Sequence, residues 1–190
     1  GDYREALQIA YLIKNDPKHL SWTLQEIAIE QTKADNKMEA LKTFNESIIA
    51  ANMILDAYDR EDMLGKIAIS QSRAGQGKAA LRRVRLFKND FLKEMYLRDL
   101  AIVFIECGVN IDVIQVADEI RTKRDEYFPI IGLALAESGD KTDFKRLLEM
   151  CSFYPQAVTR MCGFLAKLYP EQSMDIAKVI LARGEKYSCG

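Results

Sequence analysis

The chain has 190 residues, 48% of them apolar and 29% charged, a composition that can bury a core and excludes a disordered polypeptide. Its 27 Lys and Arg against 28 Asp and Glu leave a net charge of −1, which argues against nucleic-acid binding driven by bulk charge. A single histidine, His19, excludes zinc sites built from two or three histidines.

In chain order, apolar spacing predicts a first helix over about residues 2–15, with Ala6 and Ala10 on one face. Pro17 to Trp22 then reads as a loop or helix start, with Ser21 as a fair N-cap and His19 incidental to it. Beyond it four segments align: those from Ile27, Ile67, Leu100 and Ile131. Each is an apolar helix end, a short polar break and a new apolar helix. The breaks carry Asp35, Gly75, Gly108 and Gly139 at one offset, which suits a left-handed residue closing a helix, Asp being the poorest of them. Ala28 to Ala40, Ala68 to Ala80, Ala101 to Val113 and Gly132 to Phe144 are each 12 residues apart. Small residues recur where two helices approach closely. A weaker fifth unit is placed with Leu165 and Ala177.

Within the first helix of each unit, Leu24, Ile27 and Ala28 follow i, i+3, i+4 spacing. So do Leu64, Ile67 and Ala68; Leu97, Leu100 and Ala101; and Phe128, Ile131 and Gly132. No segment alternates with period two, so an all-α chain of roughly eleven helices is expected. Intervals of 40, 33 and 31 residues separate the units. The long one implies either a stretched second helix from Met38 to about Ala57 or a longer loop around Tyr58-Asp59-Arg60. Pro129 fits best in a first turn, so its helix is expected to begin later than the repeat suggests.

Other constellations read as structural. Arg82 to Lys88 is the most basic stretch, and Val84 and Phe87 within it suit a helix with its arginines in water. Gly75-Gln76-Gly77-Lys78 lacks the spacing and the Ser/Thr of a phosphate loop, Ala79 standing after the lysine. No Ser sits in a GxSxG elbow. Carboxylates at Asp59-Arg60-Glu61-Asp62 and Asp125-Glu126 suit helix starts. Cys107, Cys151, Cys162 and Cys189 form no CxxC pair and read as reduced, mostly buried thiols of a cytoplasmic protein. No catalytic residue, cofactor or metal site is expected, nor a membrane helix.

The large–Leu/Ile–small pattern of the first helices, the Gly-containing turn and the small residue opening the second helix resemble the tetratricopeptide repeat. Ala74 to Leu81, AGQGKAAL, is the closest local match. The pattern is degenerate: Gln31 and Gln71 stand where the family has an aromatic, and the unit-ending proline is displaced, with Pro155 one residue away. HEAT-like and pentatricopeptide-like arrays remain open alternatives, the charge balance disfavouring the latter. The resemblance implies a single right-handed α-α superhelix of about five and a half repeats. These are a half repeat at 2–17, then repeats at about 18–57, 58–90, 91–123, 124–155 and 156–190, part of a longer array. It further implies a non-enzymatic module whose concave groove holds a partner's peptide or helix. Family positions facing that groove map to Trp22, Gln25 and Ile29, then Lys66, Ile69 and Arg73, then Arg98 and Ile102, then Leu133. Ile29, Ile69, Ile102 and Leu133 recur at one place in four units, either as an apolar ladder in the groove or as core between first helices. The Lys and Asn of a carboxylate clamp are absent, Gln25 and Ile29 occupying those places. The alternative function is a spacer or self-association segment of a larger protein, acting through its end repeats.

Overall fold

The computed structural model describes residues 3–171 together with Asp175 and Lys178. Every regular element among the described residues is helical, and none is a strand. The helices are α1 (Tyr3–Ala10), α2 (Pro17–Lys33), α3 (Lys37–Asn52), α4 (Ala57–Gln71), α5 (Gly77–Arg85), α6 (Asp90–Glu106), α7 (Val113–Asp118), α8 (Arg124–Ser138), α9 (Lys141–Met150) and α10 (Pro155–Leu168). That makes ten α-helices among the described residues, against roughly eleven expected for the chain. The second helix of the fifth unit, with Ala177, lies outside the described residues. The chain divides into two compact units, Gly1–Tyr96 and Leu97–Gly190.

The four breaks behave as local backbone physics requires. Asp35, Gly75, Gly108 and Gly139 have φ of 59°, 86°, 60° and 78°. Three of them close their helices with the same pair of bonds. Asn36 N–H reaches the Gln31 carbonyl, Val109 N–H that of Phe104, and Asp140 N–H that of Leu135, at 2.9, 2.9 and 3.0 Å. The inner partner bonds, spanning three residues, run from Asp35 to Thr32, Gly108 to Ile105 and Gly139 to Ala136. This is the Schellman closure. Asp35 accepts a left-handed backbone that costs an L-residue about 1–2 kcal/mol.

Helix starts differ from the sequence reading. Ser21 is no cap: α2 begins at Pro17, and Asp16 accepts the His19 N–H at 2.9 Å. An Asp before a Pro at the first helical position outcompetes a serine five residues on. Asp56, Asp112 and Asp140 cap α4, α7 and α9 in the same way. Neither account of the long interval holds in full. Helix α3 has 16 residues against nine in α5, but it stops at Asn52, and Tyr58-Asp59-Arg60 forms the first turn of α4. Pro129 does not delay α8, which begins at Arg124 and carries the buried proline as its sixth residue. The early start is anchored from outside the ladder. Arg124 donates to the Ile120 carbonyl and to Asp118, and lies 5.5 Å over the Phe128 ring.

In the first unit α2 packs along α3, α4 along α5, and α2 also touches α4. Ser21 and Ser47 exchange hydroxyl-to-carbonyl bonds of 2.8 and 2.7 Å, both side chains fully buried, where α2 and α3 meet. Gly65 lets the Tyr96 ring lie against α4, and the Tyr96 hydroxyl donates to the Asp62 carboxylate. In the second unit α8 packs on both α9 and α10, and α7 on α9. Phe104, Phe128 and Phe144 are its largest fully buried side chains. The repeated positions are interior: Ala28, Ala68, Ala101 and Phe144 are fully buried, as are Ala40, Ala80 and Val113 within a few per cent.

Candidate functional site

Helical geometry decides what each groove-facing candidate does. Trp22, in the second turn of α2, is half exposed. Gln25, three residues on, is buried. Its amide donates to Ser70 Oγ at 2.9 Å and to the Lys66 carbonyl at 3.3 Å, tying α2 to α4, while its Oε1 finds no donor. Gln25 is therefore an internal link and presents nothing to a ligand. Lys66 is exposed but held by Asp62 one turn earlier, at 2.7 Å. Arg98 is drawn onto Asp99 and stacks 4.7 Å over the Tyr127 ring. Arg73 is exposed two residues past the end of α4. Ile29 and Ile69 are half-buried.

Ile102 and Leu133 are brought together. They face one open groove of about 340 Å³ between α6 and α8, floored also by Ile105, Ile130 and Ala134. Leu133 and Ile130 are each 39% exposed, so this part of the ladder reaches solvent rather than closing as core. The rim carries Glu106 and Glu137. Each lies four residues after its ladder residue, one turn on, and so shares its face. The acidic rim was readable from that i, i+4 offset. The equivalents after Ile29 and Ile69 are Lys33 and Arg73.

The titratable candidates are structural here. His19 Nδ1 sits 2.6 Å from the Asp16 carboxylate on an exposed first turn. The thiols are less buried than expected: Cys107 is exposed, Cys162 intermediate and only Cys151 buried, Cys189 lying outside the described residues. Burial pushes Cys151 up to about 12, and its Sγ packs 3.6 Å from the Met161 sulfur. Such a thiol stays protonated and unreactive. In the basic stretch Val84 and Phe87 are buried and Arg82 and Arg85 exposed, but Arg83 is partly buried and donates to Gln71 Oε1. Gln31 and Gln71, at the family's aromatic place, are buried too. No helix among the described residues is long and apolar enough to cross a membrane. Comparison with protein-family models, with curated proteins and with solved structures finds no match.

Proposed function

We propose that this chain is a non-enzymatic, cytoplasmic protein-interaction module, a tetratricopeptide-like right-handed stack of helix pairs that presents an apolar groove to a partner's peptide or helix. The contacts of α2 with α4 and of α8 with α10 support the stack, since first helices of successive pairs meet in such arrays. The observation that carries the binding role is the meeting of Ile102 and Leu133 in one solvent-open groove. Apolar anchors at i, i+3 or i+4 on a partner helix fill a groove of this kind. Peptides selected from a random library against the whole chain test it. A selected peptide should lose at least about tenfold in affinity on Leu133→Glu, which removes about 1.4 kcal/mol or more. An undiminished affinity in the folded variant moves binding to another face.

A second reading, self-association or spacing, is favoured by one observation. Ile9, Leu12, Ile49 and Met53 in the first unit are each more than half exposed, and apolar side chains left in water gain from being covered by a second copy. Light scattering across a hundredfold concentration range should then show a growing mass. A constant monomer mass removes that reading.

A further inference from the structure

The first unit holds a larger cavity, of about 610 Å³, where the end of α3, the start of α4 and the end of α5 meet. Its wall is apolar and aromatic, with Tyr58, Leu64, Leu86 and Phe87. Three cations line it: Arg60, Arg83 and Lys88. Among the described residues none of the three has a carboxylate partner. Arg60 donates to the carbonyls of Ile54 and Leu55, and Arg83 to the Gln71 amide oxygen. Lys88 bonds through its backbone N–H, not its ammonium. The one carboxylate of the lining, Glu61, accepts the N–H groups of Lys88 and Asn89 at 2.9 and 3.1 Å, just ahead of α6. Elsewhere cations find acids: Lys18 meets Asp59, Lys33 Glu30, Lys42 Glu39 and Arg146 Asp112.

We propose that this cavity binds a small organic anion, a carboxylate or phosphate carried on an apolar or aromatic body. Arg83 would take the anionic group in its guanidinium fork, Lys88 would add charge at the mouth, and the ring walls would cover the apolar part. Several features converge. The volume is that of a small-molecule site, and such sites pair apolar walls with a few placed polar groups. The lining carries three positive charges and one negative in a chain of net charge −1. Guanidinium geometry suits carboxylate and phosphate. Burial without a counter-charge also lowers the proton affinity of Arg83, a cost that an arriving anion relieves. Leu86, 80% exposed, and Tyr58, 49% exposed, stand where an apolar body would cover them.

Titration calorimetry of the whole chain with 4-phenylbutyrate, the neutral 4-phenylbutanol and inorganic phosphate tests the site. Saturable binding of 4-phenylbutyrate is expected, at least about tenfold tighter than of either control, because each control lacks one half of the recognition. Arg83→Gln should weaken it about tenfold or more, and Lys88→Gln about threefold, the latter at an exposed side chain whose loss leaves the fold intact. Equal binding of 4-phenylbutanol, equal binding of phosphate, or the absence of saturable binding each overturns the proposal. Should Arg83→Gln melt the helix pair, seen by circular dichroism, Lys88→Gln decides: unchanged affinity there sinks the site.

Discussion

Both units pair surface cations with acids, but the concave features they carry are lined by opposite charge. In the first, the cavity beside α5 is lined by Arg60 and Arg83, both on neutral acceptors, and by Lys88. In the second, three arginines meet acids: Arg98 with Asp99, Arg124 with Asp118, Arg146 with Asp112 and Asp143. The groove there is rimmed by Glu106 and Glu137. A net charge of −1 thus conceals a positively lined cavity and an acidic-rimmed groove. Local potential, not the sum over the chain, sets which ligand each surface attracts.

Stability measurements sharpen this contrast, beginning with the close helix approaches. A methyl group at Gly65 would lie 2.2 Å from the Tyr96 ring, whereas one at Gly132 would lie 2.7 Å from the terminal methyl of Met161. A ring held by its hydroxyl bond to Asp62 cannot give way, but the end of a methionine can swing aside. Gly65→Ala should therefore cost about 2–3 kcal/mol in urea unfolding, and Gly132→Ala within about 1 kcal/mol of neutral, its strain offset by the better helix propensity of alanine. Equal losses would show that Met161 is as fixed as Tyr96.

Next in size is the acid-linked cap of α7. The Arg146 guanidinium first, and the amides of Gln115 and Ile114 after it, hold Asp112 below the usual carboxylate range. A depressed folded-state pKa stabilises above the ordinary aspartate value and is lost as pH falls through the depressed one. Asp112→Ala should cost about 1 kcal/mol at neutral pH. The gap from the parent should be full above about pH 4 and close in more acid solution. A gap that persists at low pH assigns the loss to packing instead.

The smallest effect concerns the cavity rim. Leu86→Ser should change stability by less than about 0.5 kcal/mol, since the side chain is mostly in water. It should still weaken 4-phenylbutyrate binding about twofold to threefold. A stability loss above 1 kcal/mol would show that Leu86 is already covered in the free protein.

Much of the fold was legible residue by residue. The left-handed breaks at Asp35, Gly75, Gly108 and Gly139, and the buried small residues twelve apart, follow from helix geometry and chain-local sterics. The aspartate caps were legible as well: Asp16 before Pro17, and Asp56 and Asp140 three residues ahead of Asp59 and Asp143, follow the capping spacing that the choice of Ser21 overlooked. The site was legible only in part. Ile102 and Leu133 share a register that left groove and core both open and meet in a solvent-open groove, while Gln25 was expected to face a groove and is buried between helices. A glutamine on a helix face carries no sign of which neighbour will supply its partner.

By itself the sequence determined the helical class, the turns and the apolar faces. These depend on backbone sterics and on periodicity within a few residues of the chain. Only the tertiary structure decided which polar side chains are internal, that Arg83 lies half-covered beside a cavity, and that an acidic-rimmed groove opens between α6 and α8. Those outcomes depend on solvent exclusion and on partners tens of residues away, such as Lys66 and Ser70 for Gln25. Periodicity along one helix does not encode the side chains that a second helix brings to it.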